Sequence, residues 1–324
     1  MTEQSQARNT GQVVLPSGEE LVGPGLYVDA ATGPRSHAGQ VAALRTGIDL
    51  GLTVVDTAAA YPLGGSMPHR AAGRGAAYAS AAEELVAEAV RGRRDDVFLI
   101  GRLAVDGPST QGTVRERILG ACEESLRRLR TDRIDLYVVH RCDAVPLEEI
   151  VGAVNLLMTE GLVRHWGVAG FDLRDLVELT AVPGGTAVEV NQVDYDLARR
   201  DVEWDLLPRC RAARLPVLVQ VPARLPGAAA GSGTALAHPA LVTVAGRHRV
   251  SPGEVNLAWM LHRPGVYAVA EATDPQQVRH HREALGLRLT DADLAELDHA
   301  FPPPSGRPRS AGVSPPAGGP ARPG

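Results

Sequence analysis

Four side chains with chemical potential stand where an apolar run stops: Asp56 after TVV, Arg102 after VFLIG, His140 after IDLYVV and Gln192 after VEVN. Tyr61 follows Asp56 by five residues. An acid, a phenol, a fixed cation and an imidazole gathered at one point can move a proton. A phenol with a pKa of about 10 is a poor acid near neutrality, but a nearby cation favours the phenolate and lowers that value. On this reading Tyr61 donates the proton, Arg102 tunes it and Asp56 orients Arg102, while His140 hydrogen-bonds the reacting oxygen. Such a set protonates a carbonyl oxygen as hydride reaches the carbon. Each residue also has a plainer reading: Asp56 as a loop cap, His140 as a satisfied structural histidine, Arg102 as a barrel-mouth ion pair and Gln192 as a partner of loop backbone.

The elements that must bring these residues together are legible as alternating apolar strands and amphipathic helices. TVVDT is followed by AAEELVAEAVRGR after a long loop, VFLIGR by TVRERILGACEESLRRLR, IDLYVVH by LEEIVGAVNLLMTEG, and VRHWGVA by LRDLVELT. AVEVNQ, PVLVQV and VYAVAEA continue the alternation, and an opening segment around LVGPGLYV precedes HAGQVAALRTGIDLG. About eight strand-then-helix units predict an α/β fold of the (β/α)8 TIM-barrel type, whose active site lies at the C-terminal strand ends. The doubly wound alternative lacks a G-x-G-x-x-G after an early strand. The organisation expected is a flexible N-terminus over 1–12, the barrel over 13–301 and a disordered Pro/Gly-rich tail over 302–324.

Composition narrows the chemistry further. The chain of 324 residues has a net charge of −5 and no basic block, so no electrostatic footprint for nucleic acid is present. No apolar run is long enough to span a bilayer, and MTEQSQARNT lacks the layout of a signal peptide; a cytoplasmic location is expected. Three scattered cysteines, Cys122, Cys142 and Cys210, fit neither a disulfide framework nor a metal site, and no metal is expected. The chain contains no lysine, which excludes Schiff-base chemistry on this chain.

GLTVVDTAAAY, ESLRRLRTDRIDLYVVH, EGLVRHWGVAGF, VNQVDYDL and SPGEVNLAWMLHRPGVYAVAEATDPQQV occur in the order and spacing of the aldo-keto reductases, which the sequence resembles over roughly residues 13–301. The resemblance implies a (β/α)8 barrel that binds extended NADPH and reduces aldehydes and ketones. The family's catalytic Asp, Tyr, Lys and His fall on Asp56, Tyr61, Arg102 and His140. At the lysine position the chain thus carries arginine, which keeps the charge but has a planar fork and no readily lost proton; a reductase of this type is expected to tolerate Arg102→Lys or improve with it.

The resemblance also assigns the cofactor cleft. Where the family has Ser and Asn to hold the nicotinamide carboxamide stand Ala169 and Gly170; Gln192 remains as an anchor, and Gln220 takes the place of the stacking aromatic. At the diphosphate and adenosine end, Glu271 replaces glycine and His281 replaces asparagine. Thr273, Gln277 and Arg279 are the candidates there, with a helix start after Asp274 to meet an anion. Tyr27, Ser66, His69 and Arg70 are candidates for substrate contact, the last three in a loop longer than the family's, where Arg74 and Tyr78 also lie. The function expected is NADPH-dependent reduction of a carbonyl on a specialised small molecule. Non-redox acid-base chemistry on the same barrel and a non-catalytic binding module are the alternatives; a monomer or homodimer is expected.

Overall fold

The computed structural model describes residues 11–28, 37–57, 72–103, 112–142, 144–221 and 235–306. A short antiparallel hairpin of β1 (Gln12–Val14) and β2 (Glu20–Val22) comes first. Eight parallel strands then close a barrel: β3 (Gly25–Tyr27), β4 (Val54–Asp56), β5 (Phe98–Leu103), β6 (Ile134–His140), β7 (Val163–Ala169), β8 (Asn191–Gln192), β9 (Val217–Val221) and β10 (Val266–Glu271). The expected (β/α)8 barrel is therefore the fold observed.

Helices alternate with the strands: α1 (His37–Asp49), α2 (Ala72–Ala89), α3 (Val114–Leu129), α4 (Leu147–Thr159), α5 (Leu173–Ala181) and α6 (Leu206–Ala212) follow β3 to β8 in turn. Between β9 and β10 lie α7 (Pro239–His248) and α8 (Pro252–Leu261); α9 (Pro275–Ala284) and α10 (Asp291–Ala300) end the described chain. Local sequence sets several starts. Thr113 with Glu116, Asp172 with Asp175, Ser251 with Glu254 and Thr290 with Asp293 form reciprocal capping boxes, which satisfy amides that the helix itself leaves unpaired.

Three features differ from the sequence reading. LVGPGLYV is not one segment: LV belongs to the hairpin and GLY to the barrel. A Cβ on Gly23 would lie 2.8 Å from the Tyr267 ring, so the turn between them needs glycine. Helix α2 begins at Ala72 rather than at the AAEELVAEAVRGR pattern, because the alanine-rich stretch before it favours helix. Helix α10 carries an apolar stripe too sparse to stand out from sequence.

Strand alternation sorts the core into two layers. Leu99, Tyr137, Trp166 and Val219 face the helices, whereas Val54, Ile100, Leu136, Val138, Val190, Leu218, Tyr267 and Val269 fill the barrel. The hairpin's Val13, Leu15 and Leu21 join that inner cluster, and Tyr267 Oη donates to the Val22 carbonyl at 3.3 Å. The hairpin thus closes the N-terminal end and leaves the opposite end to the strand termini.

Candidate active site

Register decides which side chains meet at the mouth. Tyr27 pairs with Asp56, His140 with Ala169, Ala169 with Gln192, and Glu271 with Tyr27. Asp56 lies opposite Ile100, Arg102 opposite Val138, Gln192 opposite Leu218 and Gln220 opposite Val269. Each of these last pairings shifts the last inward-facing residue two positions along the next strand. The inward residues at the C-terminal ends, one per strand, are therefore Tyr27, Asp56, Arg102, His140, Ala169, Gln192, Gln220 and Glu271. This is the staggered layer that the tilt of such a barrel requires.

At its centre lies a buried polar group. Asp56 has no exposed surface and Arg102 is 7 % exposed. Arg102 Nε donates to Asp56 Oδ1 at 2.8 Å and Nη2 donates to Oδ2, a bidentate pair. The remaining terminal nitrogen, Nη1, donates to Gln192 Oε1. His140 is held neutral: burial first, and then the Arg102 charge, push its pKa down to about 3. A neutral imidazole can donate a hydrogen bond to a substrate oxygen without competing as a strong acid.

The positions that the resemblance assigns to a nicotinamide ring surround this group. Ala169 is buried, Gly170 is exposed with φ +76°, and the Gly170 amide donates to the Gln192 carbonyl at 2.9 Å. The Nε2 nitrogens of Gln192 and Gln220 are buried and have no partner among the described residues. Such orphaned donors are costly unless a ligand or water supplies an acceptor, and a carboxamide oxygen fits them.

Beyond β9 and β10 lies a cavity of about 300 Å³ lined by Val221, Ser251, Glu254, Asn256, Gln277 and His281, among others. Asn256 Oδ1 is buried, an acceptor that meets no donor among the described residues. His281 Nε2 lies 2.9 Å from the Glu271 carbonyl oxygen, and burial lowers its pKa. The start of α9 is occupied from within: Asp274 Oδ1 accepts from the Gln276 and Gln277 amides, and Gln277 Oε1 accepts from the Thr273 amide at 2.9 Å. Thr273 is thus bound to Gln277, while Gln277 itself lines the cavity. Arg279 is exposed on α9 and is not among the lining residues.

The structure therefore brings Asp56, Arg102, His140, Ala169, Gln192, Gln220 and Tyr27 together. Tyr61, Ser66, His69 and Arg70 lie outside the described residues, and Arg74 and Tyr78 belong to α2. Ser251, Glu254 and Asn256 were not singled out by sequence. The Ser-Pro-Gly-Glu capping box was the available signal, because it marks where α8 opens. No cluster of metal-ligating residues occurs among the described residues, and none of their helices is long and apolar enough to cross a membrane.

Comparison with known proteins supports the geometry. A model described as the aldo/keto reductase family matches residues 28–301. Methylglyoxal reductase YeaE of Escherichia coli is 35 % identical over 305 residues, covering 94 % of this chain and 98 % of that protein. An aldo/keto reductase from Klebsiella pneumoniae, solved in complex with NADP and acetate, superimposes with a TM-score of 0.78 at 34 % identity, covering 92 % of this chain and 98 % of its own. A second Klebsiella pneumoniae structure, in complex with NADPH, gives a TM-score of 0.77 at 33 % identity, with coverage of 92 % and 97 %.

Proposed function

The chain belongs to the aldo/keto reductase family, and we propose that it is an NADPH-dependent oxidoreductase that reduces a carbonyl of a specialised small molecule in the cytoplasm. The observation that carries this reading is the buried Arg102–Asp56 pair beside neutral His140, flanked by the Gln192 and Gln220 amide donors, which find no acceptor among the described residues. The YeaE name supports a small carbonyl compound as the test substrate, and the NADP-bound relatives support the cofactor.

When bound, a reduced nicotinamide supplies the hydride, and with it the two electrons, that convert a carbonyl to an alcohol. Gln192, Gln220 and the backbone at Ala169–Gly170 would hold the nicotinamide end, and the cavity with Ser251, Asn256 and Gln277 the adenosine end. The residues of the chain must supply the proton and hold the oxygen. Tyr61 gives its phenolic proton to the carbonyl oxygen, and the guanidinium of Arg102 favours the phenolate left behind. Arg102 does not itself lose a proton, so it acts as a fixed charge. Asp56 fixes its plane. His140 donates to the substrate oxygen and sets its direction.

Titration of the purified protein with NADPH, followed by consumption of NADPH on adding methylglyoxal or a larger ketone, tests the reading. Saturable binding in the micromolar range and carbonyl-dependent oxidation are expected. A flat titration to millimolar NADPH would remove the redox reading and leave acid-base chemistry on the same residues.

A further inference from the structure

Arg102 engages two partners with one planar group. Two of its nitrogens are committed to the carboxylate of Asp56, and the third reaches across the barrel from β5 to Gln192 on β8. A lysine ammonium is a single point at the end of a flexible stem and cannot hold a carboxylate and an amide in one plane. An amide side chain has an acceptor end and a donor end. Once Oε1 is taken by the guanidinium, the amide cannot flip without placing NH2 against a cation. Its Nε2 must then point away from Arg102. That nitrogen is buried in a residue only 1 % exposed, and no acceptor for it occurs among the described residues. On β9, the next strand round the barrel, the Gln220 Nε2 is likewise buried and unpartnered. At the end of β7, Ala169 and the Gly170 that follows it bring no side-chain donor.

We propose that Arg102 is a positioning residue for the nicotinamide end of the cofactor: it locks the Gln192 amide so that NH2 faces the carboxamide oxygen. The arginine thereby offsets the absence of side-chain donors at Ala169 and Gly170. This rests on the NADPH reading above and goes beyond the charge-tuning role that Arg102 shares with a lysine. It also reverses the expectation that Arg102→Lys is tolerated.

The test measures NADPH affinity by titration for wild type, Arg102→Lys, Gln192→Leu and the double variant, with thermal melting as a check on folding. Arg102→Lys keeps a cation for Asp56, yet its Kd for NADPH is expected to rise at least tenfold. Gln192→Leu is expected to match it, and the double variant to be no weaker than either single one, because both changes remove one shared hydrogen bond. Wild-type affinity in Arg102→Lys, or multiplying effects in the double variant, would overturn the assignment. A second readout needs no cofactor. The side-chain amide resonances of Gln192 in 15N-labelled protein, identified by their loss in Gln192→Leu, are expected to move in Arg102→Lys and not when exposed Arg279 becomes lysine. Unmoved resonances overturn the Arg102–Gln192 lock even where no form binds NADPH, whereas a flat wild-type titration with shifted resonances refutes only the cofactor reading.

Discussion

The two ends of the barrel both bury arginine–carboxylate networks, yet they leave opposite residues of unmet bonding. At the closed end Asp135, 2 % exposed, accepts from the Leu99 amide at 2.8 Å, from Arg94 at 2.7 Å and from Arg164 at 3.0 Å. Glu189 likewise accepts from the Ser17 amide at 3.0 Å and lies 3.6 Å from His165, tying the hairpin to the barrel. Both carboxylates are used up by the chain itself. At the open end Asp56 is also used up, but the network it anchors ends in the Gln192 amide, whose Nε2, like that of Gln220 on the next strand, meets no acceptor among the described residues. A polar network that closes on itself builds structure; one that ends in orphaned donors is shaped for something that arrives from outside.

The largest expected effect is that of the proposed acid. Tyr61→Phe should lower kcat/KM for carbonyl reduction by about 10²- to 10⁴-fold, the usual contribution of a positioned acid, while leaving the melting temperature unchanged. Steady-state kinetics with calorimetry checks both halves, and a parallel loss of stability would move Tyr61 from chemistry to structure.

Substitution of the two buried aspartates sharpens the contrast. Asp56→Asn leaves the Arg102 charge uncompensated in the interior and should cost about 3–5 kcal/mol of stability, together with activity. Asp135→Asn should cost about 1–2 kcal/mol, because its arginines are partly exposed and solvent screens them, and it should leave NADPH affinity intact. Urea denaturation of both variants ranks them, and equal losses would erase the distinction between the ends.

A smaller effect is carried by pH. The folded pKa of His140 is about 3, below its ordinary value of 6.5, so between these values the unfolded chain binds the proton and the folded chain does not. Wild type therefore loses stability as pH falls through that window. His140→Gln should lose less, so its melting temperature between pH 7 and pH 4 should follow a flatter curve. Parallel curves would mean that His140 is not buried as neutral imidazole.

The smallest effect is expected at Gly170. Its φ of +76° favours glycine but tolerates asparagine, and a Cβ there meets nothing within 4 Å. Gly170→Asn should change stability by less than about 0.5 kcal/mol and tighten NADPH binding modestly, whereas Gly170→Val should be destabilised by roughly 1–2 kcal/mol. Thermal melts and NADPH titrations of the pair decide it.

Much of this was open to reading from the chain because barrel strands are self-announcing. Short apolar runs that stop on a polar residue place Asp56, Arg102, His140 and Gln192 at one rim without any knowledge of distances. The hairpin and α10 were less legible: Gln12–Val14 and Glu20–Val22 are too short to show a period, and their burial against Tyr267 is a long-range fact. The start of α9 looked from sequence like an anion site, but Asp274 and Gln277 fold back onto its own amides.

Local pattern in the sequence by itself determined the alternating barrel, the polar residues at the strand ends and the family resemblance, because strand period and turn residues act over a few positions. Only the tertiary structure decided that Arg102 spends its third nitrogen on Gln192, 90 residues away. Which partner a planar cation meets, and which amide is left wanting one, depends on strand register and barrel closure, and neither is written in any single stretch of the chain.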